Sequence, residues 1–223
     1  MSNETTTEST SSFIMLRAMV GIGIICGLLI VLSYEGTLPR VQRLRAEALE
    51  KAIFEVVPGI EKTNPFLWDN DKFIPAPEGS SPTIFAGYDA NNQFIGVAIE
   101  ASGQGYADII RVLYGYVTEK QQVVGFYVLE SKETPGLGDK IQKDINFLNN
   151  FSSLDVSLTE NLDSLRNTVV TVKNGAKKND WEIDGITGAT ISSRAIGSIL
   201  GESTSIWISR IYQHKEDFNL SNP

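Results

Sequence analysis

The sequence predicts an α+β domain that follows a single N-terminal membrane-spanning helix. Strand patterns are grouped in the middle of the chain and helical patterns stand at both ends, which favours an antiparallel sheet over an alternating parallel one. One segment near the N-terminus, 13–34, is far more apolar than any other part of the chain. These two observations define the expected fold class.

The composition excludes several classes of function. The chain has 223 residues, the size of one ordinary domain with an appendage. It carries 19 Lys and Arg against 27 Asp and Glu, so it lacks the basic surplus of a nucleic-acid-binding protein. With one cysteine, Cys26, and one histidine, His214, it cannot build an internal disulfide, a thiolate or imidazole metal cluster, or a protein-ligated iron–sulfur centre. Only carboxylate metal sites stay open.

The apolar segment has the length of a membrane span. Residues 1–12 form a polar tail of low complexity, and residues 13–34 are apolar except for Arg17. About 22 residues cross a hydrocarbon core of roughly 30 Å. The alternatives are a cleaved signal peptide and a buried core helix, but the run exceeds a usual signal-peptide core and no clear cleavage site follows it. We therefore predict an uncleaved transmembrane helix in contact with membrane lipid.

Basic residues near the two ends of this helix bear on its orientation. Arg17 lies within the span, near its start. Four basic residues follow the span, namely Arg40, Arg43, Arg45 and Lys51. Taken alone, the positive-inside rule places the large domain in the cytoplasm.

The next segment, 35–58, is predicted to be an amphipathic connecting helix. Its apolar positions recur every three or four residues, and Pro58-Gly59 ends it. A break near 36–39 separates it from the membrane span, because that stretch holds a glycine and a proline. Residues 61–82 are rich in proline, so an irregular excursion is expected there.

The remaining chain, 59–213, is predicted to form the main domain. Turn-forming clusters between apolar runs indicate two hairpins or a meander. The strands are expected at 83–88, 94–101, 109–117 and 123–131. The later pattern predicts a helix over 140–151, a strand over 168–172, a helix over 190–213 and a polar tail over 214–223.

A glycine-rich segment with the sequence DGITGATISSR, 184–194, leads into the last helix. Its glycines let a bulky group approach the backbone, and the free N–H groups of a helix start favour a phosphate. Two hydroxyl side chains, Thr187 and Thr190, lie in this turn. The alternative is a plain helix N-cap formed by one of these threonines.

Two further glycine-containing segments stand beside strands. ETPGLGDK, 133–140, contains a tight-turn signal at Pro135-Gly136, and Gly138 permits a crowded backbone position. The alternative for this segment is a simple connection from a strand to a helix. GQGY, 103–106, lacks the third glycine of a dinucleotide-binding loop, so it is interpreted as a turn with only weak evidence for a nearby ligand.

Together these motifs resemble one family. The N-terminal span and the segments ALEKAIFEVVPG, GQGYADII, ETPGLGDKI and DGITGATISSRAI are similar to the G subunit of the Rnf electron-transport complex. A relative of that subunit is the C subunit of the sodium-translocating NADH:quinone oxidoreductase. The resemblance covers 13–200, and its most specific part is DGITGAT, which has the flavinylation pattern of the family.

The resemblance implies a covalent cofactor. FMN would be attached through its phosphate to Thr190 by a flavin transferase that uses FAD and Mg²⁺. The residues recognised by the transferase or packed around the linkage would be Asp184, Thr187, Gly188 and Ala189. The residues near the flavin would be Glu133, Thr134, Leu137 and Gly138.

The resemblance also implies a function and partners. The chain would be an electron-relay subunit, not catalytic alone, within a complex that couples ferredoxin:NAD⁺ electron transfer to sodium or proton movement. Its partners would be the other subunits of the Rnf complex and, during maturation, the transferase. Since such transferases work outside the cytoplasm, the domain is expected on the extracytoplasmic side of the cell membrane, against the charge count.

Two other functions remain open. The same FMN-carrying domain could serve another membrane redox system, such as quinone reduction or extracellular electron transfer. Alternatively, the chain could be a membrane-anchored binding or assembly module without a cofactor, in which DGITGAT is a helix cap and ETPGLGDK a turn.

Overall fold

A computed structural model describes residues 12–77, 80 and 83–219. The chain divides between Glu47 and Ala48 into two compact units. The second unit carries the sheet and the last helix, and its elements confirm the α+β fold class.

The first element is helix α1, Ser12–Val56. Among the described residues it is the one helix long and apolar enough to cross a membrane. The predicted break near 36–39 is wrong, because the helix continues through Pro39. Pro39 has no N–H group, so the Glu35 carbonyl loses its helical hydrogen bond. Pro39 is exposed, so this carbonyl can accept from another donor. Nearby, the Thr37 hydroxyl donates to the Ser33 carbonyl at 2.8 Å.

A seven-stranded antiparallel sheet forms the centre of the second unit. Its order is β2-β1-β3-β4-β5-β6-β7. The strands are β1 Lys62–Asp69, β2 Lys72–Pro75, β3 Ile84–Tyr88, β4 Phe94–Gln104, β5 Ile109–Val117, β6 Gln122–Glu130 and β7 Leu154–Asp155. All four predicted strands of the middle segment are therefore present.

The irregular excursion predicted for 61–82 is wrong, since β1 and β2 form a hairpin there. Asn70 and Asp71 adopt φ values of +46° and +63°, and two consecutive left-handed residues are typical of the tight turn that matches strand twist. The prolines are tolerated at particular places. Pro75 ends β2, and Pro65 still uses its carbonyl, which accepts from Ala76 N at 2.9 Å.

The helix predicted over 140–151 is also wrong as a single element. The chain forms a 3₁₀ helix at Gly138–Gln142, the short helix α2 at Ile145–Leu148 and a second 3₁₀ helix at Asn149–Ser152. Asp144 causes the interruption, because its backbone is extended and its side chain accepts from the N–H groups of Asn146 and Phe147. These bonds cap a new helix start.

Two short parallel strands and one long helix complete the domain. Strand β8, Val170–Val172, confirms part of the strand predicted over 168–172, and it pairs with β9, Glu182–Asp184, which was not predicted. Helix α3, Thr190–Gln213, has the bounds predicted for the last helix. Its buried face packs on the sheet, where Ser203 Oγ lies 2.8 Å from the Tyr114 hydroxyl.

Residues 214–219 do not behave as the polar tail predicted for 214–223. Lys215–Phe218 is a 3₁₀ helix, and Phe218 is fully buried in the core. The Tyr88 hydroxyl donates to the Phe218 carbonyl at 2.8 Å, and burial raises the pKa of Tyr88 to about 12. The prediction missed the buried Phe218 because the residues around it in the sequence are mostly polar. Residues 220–223 lie outside the described residues.

Candidate functional site

The glycine-rich turn lies between β9 and α3. Gly188 has φ +85°, a left-handed backbone that glycine adopts without steric cost. Thr190 is the first residue of α3, and Ala189 stands at the cap position, where no described side chain makes a capping bond. The alternative of a Thr187 or Thr190 cap is therefore wrong. The first N–H groups of α3 lack intrahelical acceptors and keep their affinity for an anion.

The turn is fixed from inside by Ser193, which is fully buried. Its hydroxyl accepts from Ile186 N at 3.1 Å and donates to the Ala189 carbonyl at 2.8 Å. From the other side, Thr171 on β8 donates its hydroxyl to the Ser193 carbonyl at 3.0 Å. Ser193 thus fixes the turn from within the first turn of α3, whereas Thr187 and Thr190 are exposed.

The Glu133 side chain joins the ETPGLG loop to two other segments. It is 5 % exposed, and its Oε1 accepts from Tyr106 N at 2.8 Å and Ala107 N at 3.0 Å. Its Oε2 accepts from the Ser192 hydroxyl in the first turn of α3. The GQGY turn, the ETPGLG loop and the start of α3 therefore meet at one buried carboxylate.

These three segments enclose a cleft of about 370 Å³, the apolar cleft. Three large side chains on its walls are more than half exposed, namely Tyr106 at 64 %, Ile191 at 56 % and Leu137 at 52 %. The complete lining is Tyr106, Glu133, Thr134, Leu137, Gly138, Gly188, Ala189, Thr190, Ile191 and Ser192. Exposed apolar groups around a concavity are typical of a ligand site.

A second cleft of about 340 Å³, the polar cleft, lies on the other side of the turn. Its lining includes two exposed cationic residues, Lys173 and Arg194. The complete lining is Thr171, Val172, Lys173, Asn174, Gly185, Ile186, Thr187, Gly188, Thr190, Ser193 and Arg194. Gly188 and Thr190 are the two residues that line both clefts.

Ion pairs stand at the rim of the apolar cleft. Lys132 Nζ lies 2.6 Å from Asp108 Oδ2, and Lys143 Nζ lies 2.6 Å from Asp139 Oδ2. A hydrogen bond from its lysine partner lowers the pKa of each aspartate. Both aspartates are therefore ionised near neutral pH, and the rim around the apolar walls stays hydrated.

The sequence over 105–203 matches the family described as FMN-binding domain. Every residue that lines either cleft falls within this range, including Tyr106 of the GQGY turn and Arg194 of α3. Over residues 105–203 the chain is similar to FMN-binding domains.

Relatives of known name cover most of the chain. The chain is 28 % identical to the G subunit of the ion-translocating oxidoreductase complex of Methanosarcina acetivorans over 184 residues, which are 82 % of this chain and 87 % of that protein. It is 29 % identical to the protein of the same name from Vibrio cholerae over 205 residues, 87 % of this chain and 88 % of that protein. The resemblance to the G subunit is confirmed.

Two solved structures share the fold of the FMN-binding domain. NqrC of Shewanella oneidensis superimposes with a TM-score of 0.54 and 17 % identity, over 78 % of this chain and 95 % of that one. The C subunit of the Na⁺-translocating NADH-quinone reductase of Parabacteroides distasonis gives a TM-score of 0.58 and 18 % identity, over 82 % and 98 %.

The clefts of the FMN-binding domain fit the two chemically different parts of FMN. Each volume falls within the range of about 300–1,000 Å³ found for small-molecule sites. The walls formed by Tyr106, Leu137 and Ile191 suit a flat aromatic ring, whereas the uncapped helix start beside Lys173 and Arg194 suits a phosphate.

The predicted site residues come together with one exception. Seven of them line the apolar cleft, and Thr187 lines the polar cleft. Asp184 lines neither, because its Oδ2 accepts from Gly175 N at 3.0 Å and its backbone pairs with the Asn150 amide. Its Oδ1 is buried without a hydrogen-bond partner among the described residues. Asp184 therefore braces the loop before the turn.

Several cleft residues were absent from the predicted site. Tyr106 comes from the turn that gave only a weak sequence signal, whereas Ile191 and Ser192 follow the motif directly. Lys173 and Asn174 belong to the loop after β8 and carry no motif. They reach the site because β8 pairs with β9, a parallel contact that periodicity along the chain does not reveal.

Proposed function

We propose that this chain is the FMN-carrying electron-relay subunit of a membrane-bound, ion-translocating ferredoxin:NAD⁺ oxidoreductase complex of the Rnf type. FMN is joined through a phosphoester to Thr190. The observation that carries the proposal is the position of Thr190, an exposed hydroxyl residue where the apolar and polar clefts meet. The names of the relatives, subunits of an ion-translocating oxidoreductase complex, support the assignment to such a complex.

Thr190 is a better attachment point than Thr187. Both side chains are exposed, but Thr187 lines only the polar cleft, whereas Thr190 lines both clefts. Thr190 also starts α3, so a phosphate on its oxygen would lie beside the uncapped N–H groups of the first turn. A tether at Thr190 would let the ring enter the apolar cleft while the charge stays outside it.

Attachment from FAD is chemically balanced. The Thr190 oxygen would form a new bond to the phosphorus of the FMN half, the pyrophosphate bond of FAD would break, and AMP would leave. The hydroxyl proton would pass to a base of the transferase. An exposed threonine on a turn is accessible to the active site of another protein, which supports modification of the folded domain.

Bound FMN would supply one- or two-electron redox chemistry, and the chain supplies its placement. Tyr106, Leu137 and Ile191 would exclude water from one side of the ring. Gly138 and Gly188 keep the backbone free of side chains at the cleft walls. Since the subunit relays electrons, the donor and acceptor centres belong to its partner subunits.

We propose that the apolar part of α1 spans the membrane once over 13–34 and anchors the chain, and that the rest of α1, to Val56, is the connecting helix. We further propose that the FMN-binding domain, 59–213, lies on the extracytoplasmic side, where a flavin transferase reaches it. The four basic residues after the span oppose this orientation. A membrane-impermeant label on a cysteine introduced at the exposed Asn161 decides the side in intact cells.

The test of attachment compares wild type, Thr190→Ala and Thr187→Ala, each purified from cells that contain an active flavin transferase. Flavin fluorescence is read on a denaturing gel, which retains only covalently bound flavin. We expect a bright band for wild type and a dark band for Thr190→Ala. The Thr187→Ala band is expected to be fluorescent but weaker than wild type, because Thr187 belongs to the motif that the resemblance assigns to transferase recognition.

Two results would contradict the proposal. A dark wild-type band beside a bright control substrate would support the cofactor-free binding or assembly module. A bright Thr190→Ala band with a dark Thr187→Ala band would move the attachment point to the polar cleft.

A further inference from the structure

Glu133 lines the apolar cleft and is one of the residues that the sequence resemblance places near the flavin. We propose that Glu133 is a positioning residue, which holds the three walls of the apolar cleft in register and thereby orients Thr190 for flavin attachment and restrains the attached ring. This inference rests on the proposed function. It concerns a buried carboxylate whose acceptor sites face the protein itself.

The hydrogen bonds of Glu133 cross large distances along the chain. Its Oε1 accepts from Tyr106 N and Ala107 N, which precede it by 27 and 26 residues. Its Oε2 accepts from Ser192 Oγ, which follows it by 59 residues. One side chain thus connects three segments that have no sequence proximity.

Two glycines allow this close contact. A Cβ on Gly105 would lie 2.5 Å from Glu133 Oε1, and a Cβ on Gly138 would lie 2.6 Å from Glu133 Oε2. Any side chain at either position would displace the carboxylate. The glycines of the GQGY turn and of the ETPGLG loop therefore serve Glu133 as well as the cleft surface.

The link to Thr190 runs through the first turn of α3. Ser192 is two residues beyond Thr190, and its hydroxyl bond to Glu133 fixes this turn against the ETPGLG loop. On the opposite side, Ser193 fixes the same turn against β8 through Thr171. Removing the Glu133 acceptors would release one of these two attachments and leave the buried Ser192 hydroxyl and the two partly buried N–H groups of Tyr106 and Ala107 without this partner.

The experiment uses two substitutions of similar size. Glu133→Gln retains an acceptor for Tyr106 N and Ala107 N and can donate to Ser192 Oγ. Glu133→Leu provides neither function. Each full-length variant is purified unlabelled in detergent and then incubated with transferase, FAD and Mg²⁺. The labelling rate, the fluorescence anisotropy of the attached flavin and the thermal midpoint are measured.

We expect Glu133→Gln to label within about twofold of the wild-type rate with unchanged anisotropy. Glu133→Leu is expected to label at least tenfold more slowly, with lower anisotropy because the ring is less restrained. The matched control is Asp89→Leu, which removes a carboxylate that also accepts two backbone N–H bonds, from Asn91 and Gln93, at the β3–β4 turn. It should lower the thermal midpoint and leave labelling and anisotropy unchanged.

Several outcomes would overturn the inference. Wild-type labelling and anisotropy in Glu133→Leu, or an equal loss in Asp89→Leu, would reduce Glu133 to a stability role. If Glu133→Leu does not fold, Ser192→Ala removes one attachment only, and wild-type values for it would refute the inference. If the wild type itself takes no label from an active transferase, the proposed function fails and the inference falls with it.

Discussion

The two clefts beside Thr190 differ in the chemistry of their walls. The apolar cleft carries three exposed large side chains, Tyr106, Leu137 and Ile191. Glu133, which also lines it, accepts a hydrogen bond from Ser192. The polar cleft carries Lys173 and Arg194 on exposed positions. A single turn thus separates a surface that favours an aromatic ring from one that favours an anion.

The difference teaches how one attachment point can serve a large amphipathic cofactor. A ring and a phosphate have opposite solvation, so a site of uniform polarity would bind one part at the expense of the other. Thr190 lines both clefts, so the proposed attachment there would let each part keep its preferred surroundings. The separate roles of the two clefts can be tested by changing residues of one cleft while the other is left intact.

The largest effect is expected from Gly138→Ala, which acts on the apolar cleft. The added Cβ would lie within 3.0 Å of both Glu133 and Ser192. Such overpacking costs about 1–3 kcal/mol of unfolding free energy. Labelling of Thr190 should slow more than tenfold, because the start of α3 shifts. Chemical denaturation and a labelling time course measure the two effects.

Gly136→Ala is the control for this prediction. Gly136 has φ +78°, so alanine is strained there by about 1–2 kcal/mol, yet its Cβ would meet nothing within 4 Å. Stability should fall while labelling stays within about twofold of wild type. Equal labelling losses in both variants would show that general loop strain, not the contact at Glu133, controls the cleft.

Alkaline pH should affect both clefts together, because it acts on tyrosine hydroxyls buried in the core of the domain that carries both clefts. Burial raises the pKa of Tyr88 to about 12 and raises that of Tyr114 further. Since the folded-state pKa values lie above the unfolded value near 10, this stability is complete below pH 10 and is lost as pH rises toward 12. Thermal midpoints across this window should fall for wild type and fall less steeply for Tyr114→Phe. A flat wild-type profile would contradict the burial of these hydroxyls.

A smaller effect is expected when the exposed apolar walls are made polar by Leu137→Ser with Ile191→Ser. Both side chains are more than half exposed, so the unfolding free energy should change by no more than about 0.5 kcal/mol per site. The anisotropy of the attached flavin should fall, because the ring loses its apolar contacts. The matched control is Ile145→Ser, an exposed apolar residue outside both clefts. Unchanged anisotropy in the double variant would place the ring elsewhere.

The smallest effect is expected in the polar cleft, from Lys173→Gln with Arg194→Gln. These exposed charges are screened by water and salt, so stability should stay within about 0.5 kcal/mol of wild type. The labelling rate should fall a few-fold at low salt and converge with wild type at high salt. Lys178→Gln, a neighbouring basic residue outside the cleft lining, is the control. A salt-independent loss would contradict a purely electrostatic role.

The sequence predicts the fold best where one element dominates a long segment. The four middle strands and α3 follow from alternation and from helical spacing. The hairpin of β1 and β2 was not predicted, because proline usually argues against a strand. Pro65 and Pro75 fit in these strands because of their positions in the fold: Pro75 ends β2, and the Pro65 carbonyl accepts from Ala76 N. The division of 140–151 depends on Asp144, whose capping role becomes visible only once its backbone is extended.

The site is predictable to the extent that it is carried by motifs. DGITGAT and ETPGLG supply most residues of the apolar cleft. Because both motifs resemble the same family, the sequence already predicts that they belong to one site. The contributions of Tyr106, Lys173 and Asn174 depend on strand pairing and loop packing between distant segments. The hydrogen bonds of Glu133 to Tyr106 N and Ala107 N were not predicted, because a motif shows which residues are present and not which way a carboxylate faces.

The exposure of Thr190 has a consequence for the order of events in the cell. The hydrophobic core lies between the sheet and α3 and is closed by residues outside both cleft surfaces, such as Tyr114, Phe151 and Ile208. Under the proposed attachment, the domain can therefore complete its folding before it meets the transferase. Synthesis and cofactor loading would then be separable in time and compartment, and flavin supply would set the fraction of subunits able to relay electrons.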